Sequence, residues 1–393
     1  MQQFKRVLLL ALPWPLIACD DALTPRAAPA RFTAVATGGA HACALSVAGH
    51  VYCWGVPIGA ADGAAGGAIV PQPERVLDGE PFTAVAAGEN HACALASRGV
   101  VYCWGANARG QLGNAGQHGG FPLASVAIPT TVVQLTAGWQ HACALGTTGA
   151  AYCWGANEQG QLGDSARLDR ALPVRVAGDG SYTEVTAGGF HTCGLQADGR
   201  AFCWGLNQLG QLGTGNTVGS DVPVPVATEL LFQSISAGYT HTCGVATDSL
   251  AYCWGSDARG ELASTGFVPP DRPGARSPSA VFLGLRMRQV SAGNELTCGI
   301  TIAGEGYCWG RGSEGQLGNG LLRDWPLPLP IAPPEGAGGY GEQLRPGDVA
   351  AGKRTHSCAV AAGRLYCWGS GVLGYPGRTF ATVPVPLALT AGS

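Results

Sequence analysis

One segment recurs seven times along the chain. It reads HACALSVAGHVYCWG from His41, HACALASRGVVYCWG from His91, HACALGTTGAAYCWG from His141, HTCGLQADGRAFCWG from His191 and HTCGVATDSLAYCWG from His241. Two looser copies follow, LTCGITIAGEGYCWG from Leu296 and HSCAVAAGRLYCWG from His356. The first cysteine of each copy falls at 43, 93, 143, 193, 243, 298 and 358. A fixed period of this length means one supersecondary unit stacked on copies of itself. The copies divide the chain at about 31–80, 81–130, 131–180, 181–230, 231–285, 286–346 and 347–393, which leaves no room for a second domain.

Each copy reads as short antiparallel strands. An apolar segment such as Phe32-Thr33-Ala34-Val35 leads to a glycine, then His41–Leu45, a turn, Val51–Trp54, and a Pro-Val segment such as Pro173-Val174-Arg175-Val176. No window carries a 3.6-residue apolar stripe, and 62 glycines would break helices, so a helical solenoid is excluded. Side chains alternate along a strand. Tyr52 and Trp54 therefore take one face of the central hairpin, and Cys43, Leu45, Val51 and Cys53 the other. Both faces are apolar, so every sheet needs a neighbour on each side. A closed ring provides that, and the terminal copies are no more polar than the middle ones. The expected fold is all-β, a seven-bladed β-propeller of four-stranded antiparallel blades.

The cysteines fit this hairpin. They lie ten apart in six copies: Cys43 with Cys53, Cys93 with Cys103, Cys143 with Cys153, Cys193 with Cys203, Cys243 with Cys253 and Cys298 with Cys308. A hairpin centred on residue 48 sets Cys43 opposite Cys53 and closes on Val47-Ala48-Gly49, with glycine where a left-handed residue is needed. The fifth copy has Asp248-Ser249 there, a strained departure. In the seventh, Cys358 and Cys367 are nine apart, and a two-residue turn, Ala362-Gly363, restores the same register. Seven intra-blade disulfides are expected. Zinc sites favour cysteines two to four residues apart, so no metal site or cofactor is expected.

Fourteen of fifteen cysteines are thereby used, and the fifteenth is Cys19. Lys5 and Arg6 precede a short apolar run ending Leu16-Ile17-Ala18-Cys19, which reads as a secretory signal over 1–18. The run resembles a lipobox, with cleavage before Cys19 and lipidation of its sulfur. Residues 19–30 then form a tether to a propeller over 31–393. The expected address is a membrane-anchored lipoprotein at the periplasmic face or cell surface of a bacterium.

The motif Ala-Gly-x-x-His-x-Cys-Ala-Leu, then Tyr-Cys-Trp-Gly, then Asn-x-x-Gly-Gln-Leu-Gly resembles the repeat of the regulator of chromosome condensation family. The best copies are WGANARGQLG from Trp104, WGANEQGQLG from Trp154 and WGLNQLGQLG from Trp204. The resemblance implies a seven-bladed propeller across the whole mature chain. It does not imply one function. The family includes an exchange factor for a small GTPase, a plant ultraviolet receptor and secreted bacterial propellers, one of them a β-lactamase inhibitor. An exported protein would not meet a cytosolic GTPase. Gly138-Trp139-Gln140-His141 is the single approximate match to the receptor's light-sensing tryptophan motif, and one tryptophan does not make that cluster.

The remaining residues favour binding over chemistry. Charged residues are 12% of the chain and net charge is −3, which gives no basic patch for nucleic acid. Six histidines share one repeat position, where a buried imidazole bonding loop backbone is the economical reading, and Leu296 fills the position in copy six. Neither a phosphate loop nor a nucleophile elbow is present. Off-pattern aromatics point to a binding surface: Trp325, with Arg323 and Tyr340 in the longest variable stretch, and Trp139. The expected function is a non-catalytic scaffold for an envelope or extracellular protein or glycan. The alternatives are a hydrolase or lyase acting on cell-wall or extracellular polysaccharide, and a structural envelope protein with no specific ligand.

Overall fold

The computed structural model describes residues 30–56, 69–77, 79–116, 125–264, 274–336 and 344–387. Within them the chain forms seven four-stranded antiparallel sheets, each built from four consecutive strands. Blade 1 runs from Phe32–Thr37 through His41–Ser46 and Val51–Gly55 to Val70–Arg75. Blade 7 runs from Asp348–Ala350 through His356–Ala361 and Arg364–Tyr375 to Arg378–Pro386. No strand is exchanged at closure. Blade 7 packs Cys358, Leu365 and Cys367 against Trp54 of blade 1, as the other blades pack, with Phe32 N donating to Gly363 O at 2.9 Å and Thr37 Oγ1 to Ala351 O at 3.1 Å; the Trp54 indole nitrogen has no hydrogen-bond partner. The proline-rich tail is the outer strand of its own blade.

The hairpin register puts Cys43 opposite Cys53 and Leu45 opposite Val51, and the same pairing repeats round the ring. All seven cysteine pairs are bonded within their blades: Cys43 to Cys53, Cys93 to Cys103, Cys143 to Cys153, Cys193 to Cys203, Cys243 to Cys253, Cys298 to Cys308 and Cys358 to Cys367. Their Cα atoms lie 4.0–4.1 Å apart, closer than the usual disulfide span because each pair sits directly across a hairpin. The turns differ as their sequences require. Ser249 takes φ 70° where other copies have glycine, and Ala362-Gly363 closes the seventh hairpin with φ 50° and 78°.

The core lies between blades. One cluster packs Cys43, Leu45, Val51 and Cys53 of blade 1 against Ala92, Ala94 and Trp104 of blade 2, and the others repeat this. The disulfide face of each blade thus meets the tryptophan face of the next. Trp154, Trp204, Trp254 and Trp309 are each buried to 0% exposure. Each indole is fixed by its nitrogen, which donates to the Gln111, Gln161, Gln211 and Glu261 carbonyl of the preceding blade at 2.9–3.0 Å. These carbonyls belong to the Gly-x-Leu-Gly turns, so the degraded fifth copy, with Glu261 for glutamine, keeps the bond.

Four outer strands carry proline at alternating positions: Val70–Arg75 (VPQPER), Ser220–Pro225 (SDVPVP), Trp325–Pro330 (WPLPLP) and Arg378–Pro386 (RTFATVPVP). Proline lacks the N–H a further strand would need, and it is tolerated there because the rim is an edge. The ring has two unlike faces. One carries the inner-to-second connections and the long third-to-outer loops (the loop face). The other carries the hairpin turns and the blade-to-blade links (the turn face).

Candidate functional site

On the loop face each inner strand ends in a glycine that lets neighbouring blades touch. A Cβ at Gly138 would lie 2.3 Å from Gly188 O, closer than any side chain tolerates. The residue after that glycine then bonds to the next blade through its N–H. Gly39 N donates to Glu89 O, Glu89 N to Trp139 O, Trp139 N to Gly188 O, Gly189 N to Gly238 O, Tyr239 N to Gly293 O and Asn294 N to Gly352 O, all at 2.9–3.1 Å. Six junctions carry such a bond, yet the side chains at this position vary from glycine to tryptophan. They surround the axial mouth.

Beneath them sit the repeated histidines. His41 and His356 bond backbone, of His91 and His41 respectively, as the sequence reading expected, whereas His141, His191 and His241 bond side chains of the next blade. His141 Nε2 lies 2.9 Å from Thr192 Oγ1, His191 2.8 Å from Thr242 and His241 2.9 Å from Thr297. Each threonine hydroxyl donates onward to the carbonyl of Gln161, Gln211 or Glu261 at 2.7–2.9 Å. The hydroxyl has one proton, so the imidazole donates from Nε2. Alanine stands at the threonine position in blades 1, 2 and 3, and there the ring nitrogens of His41, His91 and His356 that face it have no partner. Burial holds these imidazoles neutral. It lowers the pKa of His41, His141, His191 and His241 to about 3 and of His356 to about 4. Among the described residues no group of histidines, cysteines and acids is arranged to hold a metal.

The seventh copy departs most. It has one extra residue before its histidine, Gly352-Lys353-Arg354-Thr355-His356. Lys353 reaches across the axis, and its Nζ donates to the carbonyls of Ala137 and Gly138 on blade 3, the latter at 3.2 Å. Desolvation lowers its pKa to about 7, against the attraction of Glu89. Arg354 forms an ion pair with the buried Glu89 carboxylate and stacks over Trp139, 5.5 Å from the ring centroid. Burial still raises the Glu89 pKa, with Arg354 opposing it. Trp139 packs on Tyr239 with centroids 4.5 Å apart, and Phe190 meets Tyr239 at 5.6 Å. A small cavity of about 20 Å³ lies here, lined by Trp139, Gly189, Tyr239, Asn294 and Lys353 among others. It has room for about one water molecule. No carboxylate lines it, so the paired acids of a sugar-cleaving site do not flank it.

Three of the sequence-derived candidates, Trp139, Arg323 and Trp325, lie among the described residues. Trp139 is central to the cluster. Trp325 instead begins the outer strand of blade 6, partly buried against the core, with Arg323 stacked 4.6 Å from its ring. Charged groups lie between the two sites: Glu295 pairs with Arg311 at 3.2 Å and with Arg259 at 3.9 Å, and Arg259 pairs with Asp324 at 3.2 Å. Tyr340 and Cys19 lie outside the described residues. The sequence reading missed Lys353, Arg354, Glu89 and Tyr239. The signal was available in two facts: the extra residue in copy seven, and lysine occurring only at positions 5 and 353.

A family model described as the RCC1-like domain matches residues 15–337. The chain belongs to the RCC1-like domain family. Among curated relatives of this RCC1-like propeller, the ultraviolet-B receptor UVR8 of Arabidopsis thaliana is 35% identical over 112 residues, covering 28% of this chain and 24% of the receptor. Mouse RCC1 domain-containing protein 1 is 36% identical over 98 residues, covering 24% of each chain. The matched segments thus span about a quarter of these relatives. Among solved structures, yeast RCC1 (Prp20) bound to Kap60 has a TM-score of 0.73 at 22% identity, covering 93% of this chain and 85% of that one. Human WBSCR16 has a TM-score of 0.71 at 21% identity, covering 82% and 85%. At these identities the solved structures speak for the fold alone.

Proposed function

We propose that this RCC1-like propeller is a non-catalytic binding scaffold, held by a lipid on Cys19 at the outside of a bacterial membrane, whose loop face takes a protein or glycan partner. The axial cluster carries the reading. A rigid ring presents seven related positions at its mouth, and they hold Gly39, Glu89, Trp139, Gly189, Tyr239, Asn294 and Lys353. Structural demand would repeat one residue seven times, as it does for the tryptophans. Divergence at the mouth, with aromatics and charges together, suits recognition. Binding is also described for related propellers: yeast RCC1 is seen bound to Kap60, and Prp20p is described with its binding to Gsp1p and histones. The lipid anchor rests on the lipobox and on Cys19 being the one cysteine outside the seven pairs.

The full-length chain, purified from membranes and immobilised, tests this against envelope extract and cell-wall glycans. A ligand retained by the native chain and lost by the triple variant Trp139→Ala, Tyr239→Ala and Arg354→Ala is expected. Retention of nothing, or equal retention by both forms, defeats the reading. Intact mass checks the anchor separately, through diacylglyceryl mass on Cys19.

A further inference from the structure

We propose that the turn face at blades 5 to 7 docks on an anionic phospholipid surface, so that the axial mouth points away from the membrane. The proposal rests on the lipid-anchor reading above and gives it an orientation.

The link between blades 5 and 6 exposes Phe282 at 45% and Leu283 at 57%. Leu283 is held at φ 77° with Gly284 at 58°. A left-handed backbone disfavours a residue with a γ-branched side chain, and glycine would serve a plain turn better. Two unfavourable choices, an outward apolar pair and a strained leucine, coincide at one tip. Beside it Ile302 is exposed at 61%, at the hairpin turn of blade 6, and its N–H donates to Arg286 O at 3.0 Å.

The arginines around this tip are held by backbone carbonyls. Arg286 donates to Asp248 O at 3.1 Å, Arg288 to the carbonyls of Pro346 and Gly347 at 2.8 and 3.1 Å, and Arg345 to Ala303 O at 2.9 Å. Backbone carbonyls orient a guanidinium without neutralising it. Among the described residues none of the three has a carboxylate within ion-pairing distance. Exposed Arg364 and Arg31 extend the arc, the Arg31 Nε lying against Gly363. Among the described residues the acids nearest in sequence to the carbonyls that hold Arg286, Arg288 and Arg345 are Asp248, Glu305 and Asp348, and each accepts a bond within the propeller: from Leu250 N, from Tyr307 Oη, and from Val35 N with Gln289 Nε2. On the loop face the exposed Leu168, Leu209 and Val218 lie in a different setting, among arginines paired with carboxylates such as Arg109 with Asp169 and Arg170 with Asp164.

The described chain also begins on the turn face. Arg31 O accepts from Val47 N at 2.7 Å, at the first hairpin turn. Cys19 precedes Ala30 by eleven residues, a reach of at most about 40 Å. A lipid at Cys19 would hold this face near the headgroups at high effective concentration. Apolar side chains entering the interface between basic groups then suffice for docking, as for an interfacial helix.

The test uses the full lipidated chain in phosphatidylethanolamine/phosphatidylglycerol vesicles containing a photoactivatable phosphatidylglycerol, with adducts mapped by mass spectrometry. Adducts are expected at residues 282–286 and 302–305, and at least fivefold fewer at 166–172 and 214–220 on the opposite face. The double variant Phe282→Ser and Leu283→Ser should cut turn-face adducts at least fivefold while the anchor still sediments the protein with vesicles. Leu283→Gly, which relaxes the backbone, should cut them without lowering the melting temperature. Sedimentation with adducts absent or equal on both faces overturns docking and leaves the anchor standing. An unlipidated Cys19 with turn-face adducts at excess vesicles overturns the anchor and leaves docking standing.

Discussion

His191 and Thr242 sit on neighbouring blades with Nε2 and Oγ1 2.8 Å apart, and the same hydroxyl reaches Gln211 O at 2.9 Å. That carbonyl also receives the Trp254 indole at 3.0 Å. One short chain of polar atoms therefore ties the axial histidine and glutamine turn of one blade to the threonine and tryptophan of the next. Thr242→Val keeps the shape and strands the buried imidazole N–H. The expected loss is about 1–3 kcal/mol, read as a lower urea midpoint at unchanged m-value.

The converse holds where alanine breaks the chain. His91 has no partner on either ring nitrogen, and the position facing it on blade 3 is Ala142. The Gln111 carbonyl already holds Trp154 there at 3.0 Å. Ala142→Thr should restore the pattern of blades 4 to 6 and stabilise by about 0.5–1.5 kcal/mol. A lowered midpoint would mean that blade 3 lacks room for the hydroxyl.

Removing one disulfide through the pair of changes Cys193→Ala and Cys203→Ala should cost about 2–3 kcal/mol by the chain-entropy relation for a short loop. Chemical denaturation of unreduced protein measures it. Equal stability with and without the bond would show that packing alone fixes the hairpin.

Acid should unfold the protein. The buried histidines have native pKa values of about 3 to 4, while in the unfolded chain they sit at 6.5. Between those limits the unfolded state binds protons that the native state refuses, so stability present above pH 6.5 is lost as pH falls towards 4. Glu184 works the other way. Burial raises its pKa to about 7 from 4.5, so it costs stability as pH rises from 4.5 through 7. Five such histidines outweigh it, and the urea midpoint should fall steadily from pH 6.5 to 4.5. A flat profile would contradict the buried neutral ring.

Lys353 should react as an unusually nucleophilic amine. Its pKa of about 7 against 10.5 means a neutral amine at mildly basic pH, and stability that declines as pH falls from 10.5 to 7. Amine-reactive labelling at this residue should rise with a midpoint near pH 7. Because Glu89 favours the charged form, Glu89→Gln should move the midpoint lower. A midpoint near 10 would place the ammonium in bulk water.

Register, hairpin turns and blade number were legible because each is written locally and then repeated. Cys43 and Cys53 fix a register that the one-residue shortening between Cys358 and Cys367 tests within the same chain. The threonine partners of the histidines were not legible. Thr192 precedes Cys193 by one residue, but it serves His141 of the blade before, and nothing local shows that the two meet. The axial cluster was half legible. Trp139 stood out as an aromatic off the pattern, whereas Glu89 and Arg354 belong to blades 2 and 7 and become a pair only when the ring closes. Length of variable loop drew attention to Trp325, which is partly buried against the core shared by blades 6, 7 and 1.

The proline-bearing rim has a consequence for how copies of the ring meet. A propeller without strand exchange shows seven outward edges, each able in principle to recruit a strand from a neighbour. Here four outer strands alternate proline rings that cannot donate with residues that can, and those of blades 3 and 5 carry one proline each. Copies meeting edge to edge would therefore slide past one another rather than zip into fibres.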